Sequence, residues 1–238
     1  VLRWDAREQA VAARTQRRLG ALVLEDRPLT NPDPEALRLA MIEGVRTMGL
    51  DSLPWSDGLV SLRQRVAFLR HHLGEDWPDL SDARLLADLD DWLGPYLAGI
   101  TRRSHLAQVD LASALGGLLP SGARRDLDRL APTHVDVPSG SHLPIDYTNP
   151  AEPVLAVRLQ EMFGLAQTPR IAGGKVALLI HLLSPARRPV QVTRDLASFW
   201  SNGYREVKAE LKGRYPKHYW PDDPLVAEPT ARVRPRPR

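Results

Sequence analysis

The spacing of apolar residues changes twice along this chain. In residues 1–30, Val11, Ala13, Leu22 and Leu24 sit among Arg, Thr and Gln, a period of two that predicts strands. Asp5–Glu8 suits a hairpin turn, and Gly20 a bulge or bend. Two or three strands alone bury too little surface to be stable. This hairpin is therefore expected to pack on the next domain or on another copy of the chain.

Residues 31–131 repeat apolar positions at threes and fours, the period of helices. Asp33 as N-cap and Pro34 at the first helical position open a helix carrying Leu37, Ala40, Met41, Val45 and Met48, and Gly49 ends it. Ser56 caps a second helix, closed by Gly74. Ser81 or Asp82 opens a third through Leu85, Leu89, Trp92 and Leu93, stopped at Gly94-Pro95. Asp110 starts a fourth, and a short fifth covers 121–130. A helical bundle is the natural product.

Residues 132–224 read as a smaller α+β domain. THVDVPSGSHLPIDY (133–147) predicts two strands about a Ser139-Gly140 turn. PVLAVRLQEMFGL (153–165) reads as a helix. KVALLIHLLSP (175–185) reads as a buried strand stopped by Pro185, with another short strand over 189–192. Thr193 caps a last helix whose apolar stripe is Leu196, Phe199, Trp200, Tyr204, Val207 and Leu211. The aliphatic neighbours in register favour a core face over a base-stacking platform. Residues 225–238, rich in Pro and Arg, read as a disordered basic tail.

Charge adds a direction to this plan. Residues 170–238 hold 14 Lys and Arg against 6 Asp and Glu, whereas residues 1–169 hold 18 against 23. The basic excess therefore lies wholly in the last third. Charge alone fits either a phosphate-facing surface or a solvated face with a basic tail. The candidate phosphate contacts are Arg187, Arg188 and Arg194, at or before the last helix's N-terminus, and Arg205, Lys208, Lys212, Arg214 and Lys217 on and after it. Arg accounts for 28 of the 32 basic residues, and its planar fork suits bidentate phosphate contact. Glu206 and Glu210 would neutralise part of that face. In the loop Tyr215–Pro221, three aromatics alternate with Lys217 and His218. Such a loop either stacks bases or folds back to seal the core.

Catalytic motifs are missing. Gly173-Gly174-Lys175 is the only fragment resembling a phosphate-binding loop, but Pro169 stands where the first glycine belongs and Val176 where the Ser or Thr belongs. The seven histidines have no metal-ligand spacing, and adjacent His71-His72 point about 100° apart on a helix. Asp88, Asp90 and Asp91 read as a solvated helix face. PSGSH (138–142) lacks the G-x-S-x-G elbow. With no cysteine, thiolate metal sites and disulfides are excluded, which suits a reducing cytosol. No run is long and apolar enough for a membrane span. A first residue of Val rather than Met suggests a fragment or processed product.

The run SPARRPVQVTRDLASFWSNGYREVKAELKGRYPKHYWPDDP (184–224), with PVLAVRLQEMFGL before it, resembles the C-terminal region of bacterial HrpB-type DEAH-box ATP-dependent RNA helicases. LPWSDGLVSLRQRVAFLR (53–70) and WDAREQAVAARTQRRLGALVLEDRPL (4–29) extend the resemblance. It implies that residues 1–30 are the end of an oligonucleotide/oligosaccharide-binding (OB) barrel. It also implies a cytoplasmic parent that couples ATP hydrolysis to RNA remodelling, with ATP and magnesium held in motor domains. No motor motif occurs in this chain, so no catalytic residue and no cofactor carry over to it. Its expected partners are the RNA phosphate backbone, the helicase core of the same parent chain, or another protein. A protein-interaction module without nucleic-acid contact is the alternative.

Overall fold

The structure, a computed structural model, describes residues 1–235. It divides into two compact units, one of residues 1–63 and 78–121, the other of residues 64–77 and 122 onward. This differs from boundaries near 30 and 131: the N-terminal strands share a unit with helices, and residues 122–131 belong with the α+β part.

The first unit opens with an antiparallel sheet in the order β1 (Leu2–Asp5), β2 (Ala10–Leu19), β3 (Leu22–Pro28). Asp5 makes the first turn, its carboxylate accepting from the amides of Arg7 and Glu8. The bulge falls between Arg17 and Arg18, while Gly20, at φ +59°, forms the bend. β1 packs on α1 (Pro34–Met48), where the Trp4 ring lies over Gly44. A Cβ there would come within 2.5 Å of the indole, so the contact requires glycine. Every residue of β3 is exposed.

The predicted caps are present. Asp33 accepts from the Ala36 amide at 3.2 Å, Ser81 from Arg84 at 3.3 Å, and Asp110 from Ser113 at 3.0 Å. They open α1, α3 (Asp82–Ala87) and α5 (Leu111–Gly116). The single helix expected from Ser81 breaks at Asp88 (φ −100°, ψ 21°), and α4 (Leu89–Trp92) follows. Met41, Val45, Leu85, Leu89, Leu93 and Leu115 form this unit's core. Helix α2 (Asp57–Leu73) gives residues 57–63 to the first unit and 64–73 to the second.

The second unit is built on a five-stranded sheet in the order β10-β9-β6-β5-β4. Its strands are β4 (His134–Asp136), β5 (His142–Asp146), β6 (Val154–Arg158), β9 (Leu179–Leu183) and β10 (Pro189–Thr193). A small hairpin, β7 (Arg170–Ile171) and β8 (Val176–Ala177), stands apart from it in the strand order. β6 corrects the helix expected over 153–165. Leu155 and Val157 point into the core, and the strand pairs parallel with β9 and antiparallel with β5. Pairing on both sides decides between two readings of a short apolar run that periodicity alone leaves open. A 3-10 turn, Leu159–Met162, continues it. Its Glu161 is buried and accepts from Ser139, Ser141 and Arg158. Burial raises the carboxyl's pKa, but hydrogen bonds from Ser141, Arg158 and Ser139 outweigh it and hold the group below its ordinary value. Helix α6 (Ala123–Leu130) is tied to this unit by Arg65, which donates to the Ala131 carbonyl and pairs with Asp128.

Helical residues 196–214 complete the unit. The N-cap is Asp195, accepting from Ser198, two residues beyond the expected Thr193. Thr193 instead accepts from the Asp195 amide. α7 (Leu196–Ser198) leads into a π-helical segment, Phe199–Gly203, and then α8 (Tyr204–Arg214). In that segment the Tyr204 amide donates to the Phe199 carbonyl, five residues back. Gly203 leaves room for the Phe199 ring, which a Cβ would approach to 2.9 Å. The predicted stripe is core: Leu196, Phe199, Trp200, Tyr204, Val207 and Leu211 are all buried. The Trp200 indole donates to the Leu165 carbonyl and the Tyr204 hydroxyl to that of Pro221.

Residues 225–235 depart from the free tail expected of them. The Thr230 amide donates to the Gln160 carbonyl, and Tyr219 to that of Val233. Ala227 and Thr230 are buried. Small residues between the prolines supply this contact, which composition alone hides. The end of the predicted tail, 236–238, lies outside the described residues.

Candidate nucleic-acid interface

All eight candidate cations lie in the second unit, in four places along the chain. Arg205, Lys208 and Lys212 share one stripe of α8 at spacings of three and four, about 100° round the helix from the buried stripe of Tyr204, Val207 and Leu211. Arg214 ends that helix and Lys217 lies in the following loop. Arg194 stands just before α7.

Arg187 and Arg188 are not at the helix N-terminus, as expected, but in the turn joining β9 and β10. Five residues of β10 carry the chain about 16 Å from that turn to Thr193. Arg187 has φ +60°, its amide bonded to the Ser184 carbonyl, and the Arg188 amide donates to the Ser184 hydroxyl. The turn is therefore fixed while both guanidinium groups are exposed.

This relocation brings them to the other end of α8. β9 ends at Leu183, in register with Arg158 of β6. Arg158 lies close enough to His218 for its charge to act on the imidazole. Gln160 donates to the Tyr219 carbonyl at 2.8 Å. The 184–188 turn, Arg158 and the 215–220 loop thus share one end of the five-stranded sheet.

Three of the eight cations are neutralised within the fold. Arg194 pairs with Glu152, Lys208 with Asp222 at 2.5 Å, and Arg214 with Glu210 at 3.1 Å. The hydrogen bond from Lys208, and then its charge, hold Asp222 below the ordinary carboxylate range. Among the described residues no ion pair forms at Arg187, Arg188, Arg205, Lys212 or Lys217, and all five are exposed.

The 215–221 loop is partly sealed. Trp220 is buried, its indole donating to the Tyr215 carbonyl at 2.9 Å. Tyr219 packs edge-on to Phe163, with centroids 6.1 Å apart. His218 and Tyr215 are only half-buried. Burial, and then the charge of Arg158, push the His218 pKa below its ordinary 6.5, so the ring is neutral at pH 7. Sequence reasoning missed Arg158 and Arg234 as members of this end. Arg234 donates to the Lys217 carbonyl at 3.2 Å. Its signal is the run of arginines between prolines, which composition reads as a free segment.

Elsewhere, no group of three or more His, Asp or Glu able to hold a metal occurs among the described residues. None of their helices is long and apolar enough to cross a membrane.

Comparison with known proteins gives a consistent set of relatives. Residues 92–224 match the HrpB C-terminal family, described as ATP-dependent helicase C-terminal. Residues 1–29 match the connector region of the ATP-dependent RNA helicase HrpB. The chain is 44% identical over 232 residues to the ATP-dependent RNA helicase HrpB of Escherichia coli (strain K12), covering 97% of this chain and 29% of that protein. Its fold is similar to a crystal structure of the E. coli DExH-box NTPase HrpB, with TM-score 0.79 and 44% identity, covering 98% of this chain and 29% of that one. A second crystal structure, of the Escherichia coli DEAH/RHA helicase HrpB, gives TM-score 0.68 and 42% identity over 92% of this chain and 28% of that one. The chain thus spans under a third of the length of these relatives.

Proposed function

We propose, from the premise that this chain belongs to the HrpB family of ATP-dependent helicase C-terminal regions, that it holds RNA by its phosphate backbone and positions it for a motor elsewhere. In that reading ATP and magnesium belong to the motor domains of a longer cytoplasmic helicase. The observation that carries it is the set of five exposed cations without an ion pair among the described residues, Arg187, Arg188, Arg205, Lys212 and Lys217, in a unit whose other candidate cations are neutralised. Phosphate contacts of this kind release counterions and carry no base information.

Titration of the chain with RNA at two salt concentrations tests this. Affinity should fall steeply with salt and differ little between sequences. Reversing Arg187, Arg188, Arg205 and Lys212 to Glu should weaken every RNA about equally. It should also flatten the salt dependence by roughly 0.7 in log–log slope for each phosphate no longer neutralised. Turnover of ATP should stay at background with or without RNA. Undiminished affinity in the variant sinks the reading.

A second reading, contact with the helicase core of the same parent or with another protein, is favoured by one observation. β3 exposes Leu22 and Leu24 together with the rest of its length.

A further inference from the structure

Between Lys212 at the end of α8 and Arg234 of the C-terminal segment runs an open groove of about 400 Å³, walled by Pro216, His218, Tyr219 and Trp220. We propose that this groove takes one unstacked base of single-stranded RNA, with the His218 ring as its stacking face and Lys212 and Arg234 on the flanking phosphates. The inference rests on the RNA-binding reading above and names the form of RNA that this end of the unit recognises.

The groove is built before any ligand arrives. Trp220 is locked by its bond to the Tyr215 carbonyl. The Tyr219 amide is held by Val233, and Arg234 is held by the Lys217 carbonyl. Two separate stretches of chain therefore fix the walls, and little ordering remains to oppose binding. His218 has two aromatic neighbours, Tyr215 at 5.8 Å in a T-shaped contact and Trp220 at 6.5 Å in a tilted one. Its neutral imidazole adds an aromatic face without adding charge.

The chemistry around that face is one-sided. The groove's lining carries Lys212 and Arg234 and no carboxylate. Asp222 acts on Lys212 at a distance but is hydrogen-bonded to Lys208. Two cations flanking a ring match a nucleotide, whose base is a π face between two phosphates. Stacking of this kind is indifferent to which base is bound. A duplex does not offer the same ligand, because its base faces are covered by their neighbours in the stack. An acidic peptide would pair with the cations but leave the ring unused.

The test uses the whole chain and a single-stranded oligoribonucleotide carrying one fluorescent aminopurine base, with a blunt duplex of the same sequence and polyglutamate as controls. Binding of the single strand should quench the aminopurine. His218→Ala should relieve the quenching and weaken single-strand binding about ten-fold, with duplex and polyglutamate unaffected. His218→Phe, which keeps a π face, should restore both readouts, and thermal melts should show all three proteins folded. Single-strand binding unchanged in His218→Ala, or an equal loss for duplex or polyglutamate, overturns the groove. If that happens while the wild type still binds RNA, the phosphate reading survives. If the wild type binds neither RNA even at low salt, both fall together.

Discussion

The two larger sheets of this chain are made of similar residues and hold together in different ways. In β6 and β9, Leu155, Val157, Ile180 and Leu182 are at most 1% exposed, and both strands are paired on both edges. In β3 every residue is exposed, and Leu22 and Leu24 are 67% and 59% accessible. The sheet of β6 and β9 is held by burial, at roughly 25 cal/mol per Å² of apolar surface removed from water. The β1–β3 sheet is held by backbone pairing, by β1 and β2 packing on α1, where Trp4 lies over Gly44, and by backbone hydrogen bonds between residues 9–11 and 101–103. Apolar content therefore does not tell which strand carries stability; the neighbours do.

Substitutions should expose that difference, beginning with the buried unit. Trp200 packs against Phe163, Phe199 and Tyr204, and its indole nitrogen is bonded to Leu165. Trp200→Ala should destabilise the second unit by about 3–5 kcal/mol, as truncation of large core aromatics does. Urea denaturation followed by circular dichroism measures this. A loss under ~1 kcal/mol, with weakened RNA binding, would instead make Trp200 a stacking residue.

The seam of the exposed sheet should respond less. Gly44→Ala puts a methyl carbon within 2.5 Å of the Trp4 indole, so the ring must shift. Overpacking of this kind costs about 1–3 kcal/mol. The gain in helix propensity, up to about 1 kcal/mol, acts against it. A double variant with Trp4→Ala should remove the penalty. If Gly44→Ala proves stabilising on its own, the seam is looser than the geometry indicates.

Much of this was legible from local chemistry. Asp33-Pro34, Ser81 and Asp110 cap helices because a short polar side chain and the first amides are all the motif requires. The Phe199–Tyr204 stripe read as core for a similar reason, since the period itself encodes the face. β6 did not, because an apolar run of five residues fits a strand or a helix turn equally well until its partners β5 and β9 are known. The interface was legible in composition but not in arrangement. Nothing local shows that Lys208 meets Asp222 fourteen residues on, or that Glu152 neutralises Arg194 from forty-two residues away. The placement of Arg187 and Arg188 needed the length of β10, and that of Arg234 needed the return of the chain onto Lys217.

The smallest effect is expected where the exposed sheet is most apolar. Leu24→Thr replaces a 59% exposed side chain by one with good strand propensity. Little buried surface is removed, and the β2–β3 backbone pairing is untouched. The change in unfolding free energy should lie within about 0.5 kcal/mol, as for surface positions generally. A loss above ~1.5 kcal/mol would mean that this face is covered in solution. That loss would then shrink on dilution if a second copy covers the face, because association stabilises only by mass action. A small, concentration-independent change would leave the contrast between the two sheets as drawn: apolar residues on both, buried in β6 and β9 and left in the open on β3.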